Sequence, residues 1–60
     1  MLLYELYKVL NGCIKASIYN RIGDLIYFGY LDDLDVDILQ NRVVFLTPAS
    51  NHEIVIKLDI

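Results

Sequence analysis

The segment 25–37 constrains the fold of this chain most, because an apolar half and an acidic half meet within it. Residues 25–31 are apolar on both sides of a two-residue alternation, with Leu25, Tyr27 and Leu31 on one side and Ile26, Phe28 and Tyr30 on the other. Such a strand is either central with two covered faces or half-buried against a partner chain. Gly29 within it predicts a bulge or a close backbone approach. The rest of the chain is therefore expected to pack around this strand.

Residues 2–10 predict a short helix ahead of that strand. Apolar side chains fall three, four and seven positions apart, at Leu3, Leu6, Tyr7 and Leu10. Gly12 follows directly and is a common helix stop, so the helix is expected to end at residues 11–12. The alternative is a strand that turns at the same Asn-Gly pair. We favour the helix, because two-residue alternation would put Lys8 among the leucines.

Alternating patterns predict two β-hairpins. Residues 13–20 form a strand that turns at 20–23 into the strand 25–31, while residues 42–47 and 52–60 flank a loop at 48–51. The last strand alternates most cleanly, with Val55 as its one apolar residue on the polar side. Residues 32–41 predict a turn and a short helix that Asp32 or Asp33 can cap.

Together these elements predict one α+β domain over residues 1–60. It has an N-terminal helix, two antiparallel hairpins that form a four-stranded and mainly antiparallel sheet, and a short acidic helix or turn between them. A small curled barrel of the same strands is the alternative.

The size of the chain predicts self-association. The single cysteine of these 60 residues, Cys13, cannot form an internal disulfide, and with one histidine it cannot complete a zinc site. Hydrophobic residues make up 57% of the chain, above the roughly 45–50% of soluble domains, so the small core leaves apolar surface for a partner. We predict a homodimer or a larger assembly, with an interface that contains Ile26, Phe28, Tyr30 and Val55. A well-packed monomer with an apolar surface is the alternative.

The charge of the chain narrows the classes of partner. A net charge of −3 argues against nucleic acid and against an anionic membrane surface. No apolar run is long enough to span a bilayer, and the N-terminus lacks the basic region of a signal peptide. The expected location is therefore the cytoplasm, with Cys13 reduced. No cofactor is expected.

A block of aspartates is the main candidate site. Five of the eight acids lie in residues 24–37, and no Lys or Arg lies between Arg21 and Arg42. The spacing of Asp33, Asp35 and Asp37 matches the start of a calcium loop, but the later positions hold Ile38 and Val44 instead of Gly and Glu. Helix capping accounts for two or three of these acids.

A negative surface that binds a basic partner protein is the third interpretation of the aspartates. The predicted partner-binding residues are the four aspartates that follow the strand and two tyrosines: Asp32, Asp33, Asp35, Asp37, Tyr19 and Tyr30. Tyr19 is expected to be the most exposed tyrosine. No catalytic residues are predicted, because Cys13, expected to be buried, and His52, expected in the last turn, have no readable catalytic partners.

The layout as a whole resembles small uncharacterised proteins carried by phages and prophages of Gram-positive bacteria. The pieces that carry the resemblance are the leucine-rich residues 2–10, the hairpin 14–30 with its Phe28-Gly29 step, the Asp33-Leu34 pair and the closing strands 43–60. The resemblance implies a protein that is not an enzyme, similar in character to inhibitors of host defence systems.

The sequence thus favours a non-enzymatic interaction module that inhibits a host protein through an acidic, tyrosine-bearing surface. A structural module that acts only by its own oligomerisation is the alternative, and a calcium-binding domain is a third.

Overall fold

The computed structural model describes residues 1–10 and 13–60 and shows an N-terminal helix on a four-stranded sheet. The elements in chain order are α1 (Leu3–Val9), β1 (Lys15–Tyr19), β2 (Leu25–Tyr30), a 3-10 turn (Leu31–Asp33), α2 (Val36–Leu39), β3 (Val43–Ser50) and β4 (Glu53–Leu58). The predicted α+β class, the N-terminal helix and the two hairpins are confirmed. The predicted helix stop at residues 11–12 lies outside the described residues.

The sheet is mixed and open. Its strand order is β2-β1-β4-β3, so each hairpin contributes one central and one edge strand. Both hairpins are antiparallel, but β1 and β4 pair in parallel at the centre of the sheet. The two edge strands do not meet, so the structure is not the curled barrel. β2, although apolar on both sides, lies at an edge and not at the centre.

Helix α1 covers one face of the sheet. Leu3 and Leu6 are its buried residues, one helical turn apart. At its start, the Leu2 backbone N–H donates to the Glu5 carboxylate at 2.9 Å, which satisfies one donor at the open end of the helix. The Leu3 N–H also donates to the Asn41 carbonyl at 2.9 Å, so the beginning of α1 is tied to the chain just before β3.

The core lies between α1, the connection after β2, and the central strands. Its buried members in the described chain come from four elements and are Leu3, Leu6, Ala16, Ile18, Leu31, Ile56 and Leu58. The alternation in β1 and β4 explains this burial, because every second side chain of a strand points to the same face. The face of the sheet toward α1 is therefore its buried side.

Four local expectations were wrong. A loop was expected at residues 48–51, but β3 runs through Pro48 to Ser50 and the turn is at residues 51–52. An edge strand tolerates proline, which has no N–H to donate. Asp32 or Asp33 was expected to cap the short helix, but the residue before α2 is Asp35, because a 3-10 turn occupies Asp32 and Asp33. Cys13 is exposed, because it lies in the turn that precedes β1. Tyr19, expected to be the most exposed tyrosine, is only partly exposed, because it lies on a central strand.

Candidate protein-binding surface

The sheet face turned away from α1 has no described element on it. Paired residues in neighbouring strands point to the same side of a sheet, so the register defines this face as three rows that cross the strands in the order β2, β1, β4, β3. The rows are Tyr30, Lys15, Glu53 and Ser50, then Phe28, Ser17, Val55 and Thr47, then Leu25, Tyr19, Lys57 and Phe45. We call these twelve residues the open face.

Large apolar side chains on the open face are exposed to solvent. Phe28 is 58% exposed, Phe45 53% and Tyr30 46%, whereas Ala16 and Ile18, whose positions alternate with the open face along β1, are completely buried. Exposed apolar side chains that stand singly are ordinary on protein surfaces, but a contiguous patch of them marks an interaction site. Leu25, Phe28 and Tyr30 form such a patch on β2, and Tyr19 continues it on β1. Phe45 lies at the opposite edge of the open face, beyond Lys57.

The charges on the open face are few and nearly balanced. Lys15 and Lys57 are its cations and Glu53 is its acid. The Lys15 amino group lies 5.5 Å from the centre of the Tyr30 ring, within the range of a cation–π contact. The face thus combines aromatic area with a small number of charges that can orient a partner.

The negative charge of the molecule is concentrated in residues 31–37, which directly follow Tyr30 of the open face and which we call the acidic connection. Its aspartates, at positions 32, 33, 35 and 37, are exposed. The Tyr7 hydroxyl donates to the Asp32 carboxylate at 3.2 Å, and this bond, with the charge of Asp32, raises the pKa of Tyr7. In the described chain the one ion pair is between Arg21 and Asp59 at 3.1 Å, so it leaves these four carboxylates without a cation.

Tyr27 fixes the end of β2 to the acidic connection. Its hydroxyl donates to the Tyr30 carbonyl at 2.6 Å, and the ring crosses over Gly29 on the covered side of the sheet. A Cβ at Gly29 would lie 2.9 Å from this hydroxyl oxygen, which is closer than real Cβ contacts. Loss of water contact, followed by the charges of Asp33 and Asp35, raises the pKa of Tyr27. The glycine is thus required for a close approach, while the bulge of β2 lies at Ile26.

A shallow depression joins the open face to the acidic connection. Its volume is about 410 Å³, and its lining includes Cys13, Tyr30, Asp32 and Asp33. Tyr30 therefore lies beside two of the aspartates that the sequence predicted to bind a partner. Tyr19 lies in the opposite row of the open face, away from them.

The residues predicted to form a dimer interface lie together. Phe28, Tyr30 and Val55 belong to the open face, and Ile26 is the extra residue of the bulge beside Leu25. The sequence pattern did not identify Phe45 as a further member. The alternation of residues 42–47 predicted that Phe45 and Leu46 lie on opposite faces, but it did not show which face is covered. The pairing of Phe45 with Lys57 places it on the open face.

A second depression of about 370 Å³ lies between the helices and is lined by Tyr4, Tyr7, Val36, Leu39 and Gln40. Among residues 1–10 and 13–60, no group of three or more His, Cys, Asp and Glu side chains is placed to hold a metal ion. Over the same residues, no helix has the length and hydrophobicity that crossing a membrane requires.

We compared the chain with known proteins. No family model matches it, and neither the curated proteins nor the solved structures contain a match.

Proposed function

We propose that this chain is a protein-interaction domain that forms a homodimer through its open face and binds a second, basic protein through its acidic connection. Binding would block the surface of that protein, so the domain would act as an inhibitor without catalysing a reaction. The open face is the observation that supports this proposal most strongly.

Packing in a small domain supports the dimer. The chain buries few side chains completely, while large apolar residues on its open face stay half exposed. Burial of apolar surface contributes about 25 cal/mol per Å². A second chain on this face would therefore add to the limited stabilisation that a domain of 60 residues obtains from its own core.

Charge supports the second partner. The acidic connection carries four exposed aspartates without a described ion pair, next to the exposed ring of Tyr30. A negative surface favours association with a positive one and gives the association a strong salt dependence. Tyrosine is enriched at interfaces because its ring is apolar and its hydroxyl is polar.

A pull-down from lysate tests the basic partner. The bait chains are the unmodified protein, the triple variant D33N/D35N/D37N and the control D24N, which removes an exposed aspartate at the far end of β2. We expect the unmodified protein and D24N to capture the same basic protein, and the triple variant to capture much less. Higher salt should weaken capture by the first two baits. Equal capture by all three baits at every salt concentration would refute the acidic surface.

A purely structural module is the second candidate function, and the open face favours it as much as it favours the first. The two differ in the acidic connection, which has no role in a module that only oligomerises. A protein that is dimeric in light scattering but captures no basic partner is such a module. A strict monomer excludes the module and the proposed dimer together.

A further inference from the structure

We propose that the second copy binds the open face about a two-fold axis that lies in the interface, runs parallel to the strands, and passes between β1 and β4. This arrangement rests on the dimer of the proposed function and specifies its geometry. Rotation about this axis places β1 over β4 of the other copy and β2 over β3, and it leaves each row of the open face over the same row.

Charge complementarity is the first argument for this axis. Lys15 and Glu53 occupy one row on adjacent central strands. The rotation exchanges these two strands, so Lys15 of each copy meets Glu53 of the other. Each dimer therefore contains two opposite-charge contacts, and neither requires a side chain to shift along its strand. Lys57 meets Tyr19 of the other copy in the same way, as a cation beside an aromatic ring.

Complementarity of size is the second argument. In two of the three rows large side chains meet small ones across this axis: Tyr30 meets Ser50, Phe28 meets Thr47, and Val55 meets Ser17. In the third row Leu25 meets Phe45, which is an apolar contact between two large side chains. Layers in which large and small residues alternate can interdigitate to the density of a protein core. Sheets that pack face to face keep their strand directions within about 30°, so these pairs stay neighbours in a twisted sandwich.

The other two-fold axis within the interface, perpendicular to the strands, fits less well. It keeps each strand over itself and reverses the rows. Phe28 then meets Phe28 of the other copy, and Ser17 meets Ser17, so two bulky rings oppose each other while a gap forms beside them. Glu53 meets Lys57 in this arrangement, and this different charge pair allows an experiment to distinguish the two axes.

The area of the open face sets the expected affinity. Four strands about 4.8 Å apart, with five or six residues at about 3.3 Å each, span roughly 350 Å² in projection, and protruding side chains raise the accessible area above this. Both copies together therefore cover roughly 700 Å² in projection, and the accessible area that they bury is expected to lie at or below the low end of specific interfaces, about 1,200 Å². We therefore expect a reversible dimer with a dissociation constant on the order of micromolar.

The test mixes two charge-reversed variants. K15E alone places Glu against Glu53 of the other copy, and E53K alone places Lys against Lys15, so each should dimerise about tenfold more weakly than the unmodified chain. A mixture of K15E and E53K restores both contacts between copies, and should form a heterodimer tighter than either homodimer. Sedimentation of one labelled variant titrated with the other measures this preference.

The mixture separates contacts between chains from contacts within a chain. Lys15 and Glu53 are also paired neighbours in one chain, so each variant has a like-charge pair that mixing does not remove. Recovery on mixing therefore reports the contact between copies. The double variant K15E/E53K keeps opposite charges in both places and should dimerise like the unmodified chain. Circular dichroism checks that every variant is folded.

A cross-link on the unmodified protein gives the same answer without a variant. Copies with light and heavy nitrogen are mixed, and a carbodiimide joins lysine to a nearby carboxylate. A mixed-isotope link between Lys15 and Glu53 supports the axis, and one between Glu53 and Lys57 overturns it.

The outcomes also separate this geometry from the proposed dimer itself. A dimer that shows no preference for the K15E and E53K mixture overturns the axis and leaves self-association intact. A chain that stays monomeric well above micromolar concentration overturns both, and the open face then binds a different protein.

Discussion

Replacement of Gly29 with alanine should destabilise the domain in two ways, through its backbone, where φ is +158°, and through one neighbour, Tyr27. The added Cβ would lie 2.9 Å from the Tyr27 hydroxyl oxygen and 3.3 Å from the ring carbon that bears it, so the ring has to move. Movement breaks the 2.6 Å bond from this hydroxyl to the Tyr30 carbonyl. The lost bond is worth about 1 kcal/mol, and a ring held off its preferred rotamer costs about 0.5–1.5 kcal/mol more.

A double-mutant cycle with Y27F isolates this contact. Y27F alone should cost about 1 kcal/mol, because it removes the same hydrogen bond. In the Y27F background the atom closest to the new Cβ is absent, so G29A should cost about 1 kcal/mol less than it does beside Tyr27. Any cost that alanine imposes on the backbone at position 29 is common to both backgrounds and cancels in the cycle.

The assay is urea denaturation followed by circular dichroism, with all four proteins at one concentration because association contributes to apparent stability. The matched control is G23A with Y27F. Gly23 has a φ of +99°, and nothing lies within 4 Å of its Cβ, so its cost comes from the backbone alone. That pair should be additive within about 0.5 kcal/mol. Additivity of G29A with Y27F to the same degree would refute the close approach as the reason for Gly29.

Three further predictions follow from burial and charge. I56A removes most of a completely buried side chain and should lower the free energy of unfolding by about 2–5 kcal/mol in urea denaturation. The control I22A, at a position that is 84% exposed, should change it by less than about 0.5 kcal/mol, and similar costs for the two variants would contradict the core. Folding raises the pKa of Tyr7 above 10.0, so the bond from Tyr7 to Asp32 stabilises the fold fully below that pH and is lost as pH rises through the raised pKa. The melting temperature of Y7F should therefore fall less steeply above pH 10 than that of the unmodified chain, and equal slopes would contradict the bond to Asp32. E5A removes the acceptor of the Leu2 N–H and should cost about 0.5–1 kcal/mol. The control E5Q keeps an oxygen acceptor at this position and should cost less.

Local patterns predicted the elements and the hairpins because local bonds define them. In the first hairpin, the Asn20 N–H donates to the Asp24 carbonyl at 2.9 Å, and the Asp24 N–H returns a bond to the Asn20 side chain at 2.8 Å. Gly23 adopts the positive φ that its position in the turn requires. All these bonds join residues within four positions of each other, so a short stretch of sequence contains the information.

The order of the strands was less accessible to sequence reasoning. β1 and β4 pair in parallel, with Ala16 beside Ile54 and Ile18 beside Ile56, and these residues are far apart in the chain. The alternating pattern of β1 does not specify which strand pairs with it, because the other strands carry apolar residues too. An apolar pattern on both sides of β2 predicted a central or half-buried strand. The structure shows an edge strand whose second apolar side belongs to the open face. The aspartates and their proximity to Tyr30 were identifiable, because Asp32 and Asp33 follow Tyr30 by two and three residues. The place of Phe45 on the same face was not, because it depends on the register of β3 on β4.

The open face follows from the small amount of helix in the chain. Helix α1 has seven residues and α2 has four, which at about 1.5 Å per residue gives cylinders of roughly 10 and 6 Å. These cover one side of a four-stranded sheet, and no element of residues 1–10 and 13–60 covers the other. A sheet with one uncovered side can carry polar residues there, as many antiparallel sheets do. Here the middle row places Phe28 and Val55 on that side, and this choice of residues, more than the size of the domain, is why we expect a second chain to cover it.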